Sequence, residues 1–418
     1  MGSMERKILH VDINNCYASI ECARDHSLRG KPVAVAGDPE QRHGIILAKN
    51  QAAKEYGIKT GEALWQAFEK CRNLVVLKPN FPLYLEYSRK ARAIYESYAD
   101  RVEPFGIDEC WMDVSGYRGS AADLANEIRE RIKRELDITV SVGVSFNKIF
   151  AKLGSDMKKP DAVTVIGKDD FREKVWCLPA ADLLFVGRAT KQKLEKYGIH
   201  TIGQLAQTRP EFLEQWLGKN GIMLWQFANG LDTTPVKYAG ECREIKSIGN
   251  STTAYRDLVN NTDVKLLIFT LAESVAMRLR RAGLKAEGVS IYVRDKYLIS
   301  FTRQCRLSVS TSDASYIAKA AYELFLSSYS FERGQPPIRS LGVSVFDLLP
   351  ENAVCQFDMF QSIEKQQRLD CLNKSVDELR ARYGYTCIRR ATVMADKTFS
   401  AFDTAMQNEI HPVGYSAG

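Results

Sequence analysis

Pro104-Phe-Gly-Ile-Asp-Glu-Cys-Trp-Met-Asp113 decides the fold when it is set beside Lys7-Ile-Leu-His-Val-Asp12 near the amino terminus. The earlier run is short, apolar and closed by an acid, and residues 17–24 behind it read as the first turns of a helix, so Asp12 sits where a strand hands over to a helix. The later run lies within residues 101–114, which read as a pair of strands carrying Asp108 and Glu109. Residues 84–100 read as a helix, residues 121–136 as an amphipathic helix and residues 138–144 as a strand. Strand, helix, paired strands, helix, strand is the order of a ferredoxin-like sheet, whose first strand lies beside the central hairpin. Asp12, Asp108 and Glu109 therefore converge.

Three hard oxygen donors in one place suit Mg²⁺, which leaves its remaining positions to water and phosphate oxygens. Two such ions would clamp the attacking and leaving oxygens of a phosphoryl transfer. Acid-rich surface hairpins are common, but placement beside Asp12 argues against that plain reading. Ile13-Asn-Asn-Cys-Tyr17 opens a helix whose free N–H groups favour a phosphate, and the Ile13 carbonyl is a further candidate metal ligand. Lys159, in the basic pair that follows the helix from Asn147, is placed to reach the same phosphates. The chain contains neither G-x-x-x-x-G-K-[ST] nor G-x-G-x-x-G, which removes the P-loop and Rossmann readings.

Around this centre the chain's 418 residues suggest three or four domains. Hydrophobic residues at 45% and charged residues at 26% are ordinary for a globular protein and exclude wholesale disorder. The ten cysteines contain no C-x-x-C pair, which removes zinc ribbons and thioredoxin-type motifs and points to a reducing cytoplasm. No secretory pattern opens the chain, and its most apolar longer stretch, Val264 to Met277, carries Lys265 and Glu273 and is too short to span a bilayer, so no membrane association is expected. Met1-Gly2-Ser3 before a second Met is left out of the fold argument.

Residues 28–77 read as a small inserted subdomain with short strands, and residues 171–236 as short helices joined by a glycine turn. Residues 243–350 return to alternating strands with two long helices, a second α+β domain. That domain holds 15 Lys and Arg against 10 Asp and Glu, a surplus of five out of the chain's net +7. The basic surface is expected there.

Asp12-Ile-Asn-Asn-Cys-Tyr-Ala-Ser-Ile-Glu21, Gly106-Ile-Asp-Glu-Cys-Trp-Met-Asp-Val-Ser115, Ser141-Val-Gly-Val-Ser-Phe-Asn-Lys-Ile-Phe-Ala-Lys152 and Lys158-Lys-Pro160 resemble, in this order, the palm motifs of Y-family translesion DNA polymerases in their bacterial polymerase IV branch. The resemblance runs from about Met4 to Phe360. It implies an α+β multidomain fold: a ferredoxin-like palm at 4–27 and 78–170, small fingers at 28–77, a helix-hairpin-helix thumb at 171–236, a separate α+β little finger at 243–350, and a tail at 351–418. It implies low-fidelity, template-directed primer extension and lesion bypass, with two Mg²⁺ per active site and Mn²⁺ as a substitute. Asp12, Asp108, Glu109 and the Ile13 carbonyl match the metal-binding positions, and Asn14, Asn15, Cys16, Tyr17 and Lys159 the nucleotide-binding ones. Tyr17 falls at the steric gate, where an aromatic ring excludes a ribose 2′-hydroxyl.

In Lys49-Asn50-Gln51-Ala52-Ala53-Lys54 the chain departs from the family pattern, since Gln51 and Lys54 stand where a Tyr and an Arg usually touch the triphosphate. Lysine supplies a point charge in place of a bidentate fork. In the thumb, Phe185-Val-Gly187 opens the turn that would offer backbone N–H groups to a DNA phosphate. Gln356, Phe357, Asp358, Met359 and Phe360 resemble the short peptide that docks on the sliding clamp (beta subunit). Beyond it Leu372, Val376, Leu379 and Tyr383 recur at helical spacing. Expected partners are primer-template DNA, deoxynucleoside triphosphates and the clamp, for a cytoplasmic monomer. Two other classes share part of the pattern. A palm-type nucleotidyl cyclase lacks the thumb, the basic second domain and the clamp peptide; a non-catalytic DNA-binding clamp partner has no need of the three acids.

Overall fold

Ile8–Ile13 (β1) reads Ile-Leu-His-Val-Asp-Ile, and all six residues are buried, the mark of a strand covered on both faces. The computed structural model describes residues 6–38, 44–241, 244–353 and 363–394. After β1 come α1 (Cys16–Arg24), β2 (Val33–Ala36), β3 (Ile46–Lys49), α2 (Gln51–Glu55), α3 (Leu64–Lys70), β4 (Val75–Leu77) and α4 (Phe81–Glu96). They are followed by β5 (Arg101–Pro104), β6 (Glu109–Asp113), α5 (Ala121–Leu136), β7 (Val140–Ser145), α6 (Lys148–Met157) and β8 (Val163–Ile166).

Five strands form the main sheet in the order β5-β6-β1-β7-β8. β1 runs antiparallel to both neighbours, with Asp12 opposite Glu109 on β6 and opposite Ser141 on β7. Side chains alternate across a strand, so β1 serves two faces. Leu9, Val11 and Ile13 join a core with Tyr84, Ala91 and Ile94 of α4 and with Leu124, Ile128 and Ile132 of α5. The opposite face carries Ile8, His10 and Asp12 and is covered by α6. There Ile8 packs with Trp111 and Ala151, and the His10 Nδ1 shares a 2.8 Å hydrogen bond with Ser155 Oγ.

Close approach of α6 depends on Gly143 of β7. A Cβ at that position would lie 1.9 Å from the Ala151 carbonyl oxygen and 2.5 Å from the Ser155 amide nitrogen, both backbone atoms that cannot rotate away. Asn147 caps the helix, its side-chain oxygen accepting from the Phe150 amide at 2.7 Å.

A small sheet of order β3-β2-β4 stands apart, its core built from Ala34, Ile46, Ala53, Ile58, Leu64 and Ala67. Beyond β8 the chain is helical: α7 (Phe171–Val175), α8 (Arg188–Lys196), α9 (Ile202–Gln207), α10 (Pro210–Leu217) and α11 (Lys219–Ala228) surround Leu183, Leu194, Ile202, Leu205, Leu213 and Leu224.

The second compact unit contains β9 (Ser247–Leu258), α12 (Asn261–Arg281), β10 (Leu284–Asp295), β11 (Ser300–Thr311), α13 (Ala314–Ser328) and β12 (Ile338–Pro350), then α14 (Ile363–Tyr383) and α15 (Ala391–Met394). Its sheet has the order β11-β10-β12-β9, and the core fills with Leu267, Leu271, Val275, Ile317 and Phe325 from the helices and Val289, Ile291, Val343 and Val345 from the strands. The helical spacing after residue 363 does yield a helix, but polar groups dock it. Arg280 grips Asp377 through two bonds of 2.6 and 2.9 Å, and Glu273 takes Arg380 at 2.8 Å and Arg390 at 2.5 Å. Leu372, Leu379 and Tyr383 stay exposed.

Replacing Gly143 by Ala is expected to cost about 3 kcal/mol or more, the upper range for overpacking, because the clash is with backbone. Denaturant unfolding followed by circular dichroism checks this; an unchanged midpoint would contradict the close seat of α6.

Candidate active site

A two-residue turn joins β1 to α1. Asn15 makes it possible by adopting a left-handed conformation at φ 51°, which asparagine tolerates better than most residues. Asn14 is buried and locks the turn: its Nδ2 donates to Ser141 Oγ at 2.9 Å, and its Oδ1 accepts from Thr139 Oγ1 at 3.0 Å and from the Asp161 amide at 2.9 Å. That last bond ties α1 to the segment carrying Lys159. Asn14 thus holds the wall of the site from behind and does not line it.

Asp12 is the penultimate residue of β1 and Glu109 the first of β6. Antiparallel register sets them opposite each other, and opposite residues share a face. Asp108 precedes β6, and its carbonyl accepts from the Ile13 amide at 2.9 Å, which fixes the hairpin against the strand end. Two lysines from α6 and its C-terminal continuation meet these acids. Lys152 Nζ lies 2.8 Å from Glu109 Oε1 and 3.1 Å from Asp156 Oδ2. Lys159 Nζ lies 2.8 Å from Asp12 Oδ2 and 2.8 Å from Asp156 Oδ1.

Burial dominates the proton affinities. It raises the Asp12 carboxyl to about 7, with Lys159 opposing and the neighbouring Glu109 charge reinforcing the shift. Asp108 is raised by burial and then by Glu109. Burial would raise Glu109 as well, but the His10 imidazole at 3.6 Å and the Lys152 ammonium more than offset it and hold Glu109 below the usual carboxylate range. The His10 side chain is fully buried, and burial lowers it to about 4, a neutral ring at physiological pH.

These residues face a cavity of about 320 Å³ lined by Asp12, Ile13, Asn15, Cys16, Tyr17, Asp108, Glu109 and Lys159, and also by Leu47, Ala48, Lys49 and Thr60. Asp12 is buried and Asp108 half-buried, and the proton affinities of both rise in the same cavity, so this corner is short of positive charge, and the donors are all hard oxygens. That is the chemistry a divalent cation of the Mg²⁺ type satisfies. The Tyr17 ring is fixed by a face-to-face stack on Tyr84, with centroids 4.4 Å apart and planes 10° apart, and by the edge of Phe81 at 6.1 Å. Tyr84 is itself held by donating to Glu21 at 2.7 Å. Burial pushes the Tyr17 hydroxyl up to about 12, so it stays protonated.

The structure brings together most of the residues picked out in the sequence. Gln51 and Lys54 are different: both are exposed on α2 and neither lines the cavity. Lys49 and Thr60 do line it, and sequence reasoning passed over both. No periodic signal marks Lys49, because the pairing of β3 with β2 slips by one residue at Leu47 and simple alternation along the strand fails there. The peptide Gln356 to Phe360 lies outside the described residues.

The impB/mucB/samB family matches residues 11–156, its C-terminal domain matches residues 245–359, and a thumb domain described for DNA polymerase-iota matches residues 181–232. DNA polymerase IV of Acetivibrio thermocellus is 54% identical, over 94% of this chain and 99% of its own length. DNA polymerase IV 1 of Bacillus subtilis is 36% identical over 94% of each. A solved Y-family DNA polymerase chimera superposes with a TM-score of 0.73 at 21% identity, covering 82% of this chain and 99% of its own, a likeness of fold. With three successive domains matched and a relative this similar along nearly its whole length, the chain belongs to the impB/mucB/samB family of Y-family polymerases, in the DNA polymerase IV branch.

Proposed function

We propose that this protein is a low-fidelity, template-directed DNA polymerase that adds deoxynucleotides to a primer 3′ end and copies past damaged bases. The observation that carries the reading is the register of Asp12 against Glu109, which sets a buried and a half-buried acid beside a cavity bordered by the start of α1, the Tyr17 ring and Lys159. The two DNA polymerase IV relatives support it.

In this reading Asp12, Asp108, Glu109 and the Ile13 carbonyl hold Mg²⁺, two ions per site, with Mn²⁺ as a substitute. Bound there, the metal supplies Lewis-acid stabilisation of charge on the attacking and leaving oxygens. The chain's own groups do the rest. The N–H groups of Cys16 and Tyr17 at the start of α1 receive the triphosphate at the positive end of a helix. Lys159 adds its charge from the far side of Asp12. As the primer 3′-oxygen bonds to the α-phosphorus, the bond to the bridging oxygen breaks and pyrophosphate leaves, so positioning and charge stabilisation are the main demands on the protein. The Tyr17 ring, clamped by Tyr84 and Phe81, lies under the sugar and leaves no room for a 2′-hydroxyl.

We assign the main sheet to a palm (4–27 and 78–170), the small sheet to fingers (28–77), the helical segment to a thumb (171–236) and the 243–350 unit to a little finger. Relaxed fidelity follows from fingers whose three strands have only four, four and three residues and enclose little. The little finger's sheet turns one face away from α12 and α13. There Ser247, Gly249, Ser251 and Thr253 of β9 face Phe346, Ser344, Gly342 and Ser340 of β12. Small hydroxyl and glycine residues let a polyanionic backbone approach, and Arg306 on β11, in register with Gly288 and through it with Phe346, adds charge on the same face, so DNA binding should weaken steeply with salt. No described helix is long and apolar enough to cross a membrane. The clamp peptide Gln356 to Phe360, a cytoplasmic location and a monomeric state complete the proposal.

Asp108→Asn is expected to remove primer extension by at least about a thousandfold, since the site loses a charge it needs at the reacting centre, while primer-template binding survives. Single-turnover extension and DNA anisotropy on the same preparation check both halves. Tyr17→Ala should admit ribonucleotides, cutting the deoxy-to-ribo ratio of kcat/KM by about a hundredfold, of the order expected when a steric contact worth about 3 kcal/mol is lost. An unchanged ratio would remove Tyr17 from the gate.

A further inference from the structure

The fingers present a cation to the cavity from a position the family pattern does not mark. β3 pairs with β2 through Ala34 opposite Lys49 and Val35 opposite Ala48, and Lys49 is the strand's last residue. The pairing slips by one residue at Leu47, which leaves Lys49 at the strand's end opposite Ala34, where its side chain borders the cavity together with Leu47 and Ala48. Gln51 and Lys54 come after the chain has turned into α2 at the Asn50 cap, whose side-chain oxygen accepts from the Ala53 amide at 3.0 Å. The turn points both residues to solvent.

The Lys49 ammonium is oriented, and its bonded partner is a hydroxyl. Its Nζ donates to Thr60 Oγ1 at 3.0 Å, and Thr60 also borders the cavity. Among the described residues no carboxylate lies within ion-pair distance of it. Glu62 is the acid that acts on it electrostatically, and Glu62 is already bound to Lys70 at 2.6 Å. Burial, and then the neighbouring Lys54 charge, lower the proton affinity of Lys49, as expected of a cation that lacks a counterion. Lys159, the other lysine of the cavity, is bonded at 2.8 Å to Asp12 and at 2.8 Å to Asp156. The acids thus occupy the floor, and Lys49 with Thr60 forms an uncompensated donor pair on the fingers' wall.

We propose that Lys49, oriented by Thr60, is the fingers' contact to the β- and γ-phosphates of the incoming nucleotide in this protein, taking over the role that the family pattern gives to the positions of Gln51 and Lys54. The assignment rests on the polymerase reading above and deepens it. A polyphosphate entering between the acid floor and this wall supplies the charge that Lys49 lacks. Lysine offers a point charge with three rotatable donors, so contact tolerates a shift of the phosphate tail better than a fixed guanidinium fork does.

The test uses the full chain on a matched primer-template. Lys49→Met is expected to raise the half-saturating nucleotide concentration about tenfold, with the loss in KM and not in kcat, as for a charge-assisted contact made equally in ground and transition states. Thr60→Val should give a smaller rise in the same direction, and Lys49→Arg should restore most of the affinity. Inorganic tripolyphosphate serves as the probe for phosphate recognition, and its inhibition of extension should weaken in Lys49→Met by the same factor. Unchanged half-saturation overturns the proposal. So does a loss for the nucleotide without a loss for tripolyphosphate, which would mean a base or sugar contact, and so does a larger loss in Lys54→Met than in Lys49→Met. A melting temperature matching the parent's shows that the variant folds. If the parent chain extends no primer, the polymerase reading itself falls; if the parent extends and Lys49→Met matches it, only this assignment falls.

Discussion

Crowding of like charge at the end of β1 constrains everything around it. Backbone register forces Asp12 and Glu109 onto the same face, and Asp108 is held one residue away by the bond from the Ile13 amide to its carbonyl. Carboxylates this close and this buried repel one another and resist ionisation. The fold answers with Lys152 and Lys159, supplied by α6 and the segment after it. Those ammonium groups arrive at 2.8 Å only because α6 lies almost on the sheet, and it lies there because β7 has no side chain at Gly143. The glycine and the lysines solve a single electrostatic problem.

The same face of the sheet carries a second buried charge pair. Lys148 and Glu103, 1% and 4% exposed, meet at 2.6 Å, and the Lys148 ammonium sits 4.4 Å from the Trp111 ring centroid. A pair like this gains little over apolar packing but is costly to break by halves, so its value lies in what it specifies. Here it specifies where the chain goes after the helical segment. Glu103 also accepts from the Lys237 amide at 3.1 Å, Arg101 donates to the Val236 carbonyl at 2.9 Å, Arg6 donates to the Thr234 carbonyl at 2.8 Å, and Val236 is fully buried. Residues 234–239 thereby cover β5, the edge strand, and its open hydrogen-bonding groups no longer invite another strand.

How much of this the sequence disclosed depends on whether a residue's role is local. The proximity of Asp12, Asp108, Glu109 and Tyr17 is legible because strand ends, a hairpin and a helix start are short-range patterns, and a ferredoxin-like order brings them to one cavity. The region of Asn14 is legible, but its buried hydrogen bonds are not, since its partners Thr139, Ser141 and Asp161 are distant in sequence. Gln51 and Lys54 follow from motif position alone, whereas the bulge in β3 and the onset of α2 determine what borders the cavity. The helix at Ile363–Tyr383 was legible from its apolar spacing, but its docking was not: Arg280, Glu273 and Asp377 make that contact, and long-range ion pairs leave no periodic trace.

The arrangement of charge also explains how one site can be both stable and receptive. Lys152 and Lys159 are paired with Glu109 and Asp12, which offsets part of the negative charge at the floor and helps the fold hold these acids together. Lys49 is committed only to a hydroxyl, and a hydroxyl competes weakly with a phosphate for an ammonium. Structural and receptive lysines are therefore distinguished by partner, not by residue type. A polyanion can meet the Lys49 ammonium on the wall without first having to break an ion pair. That is a reasonable design for fingers too small to close tightly on a nucleotide, because affinity for the phosphate tail then does not depend on how well the base fits.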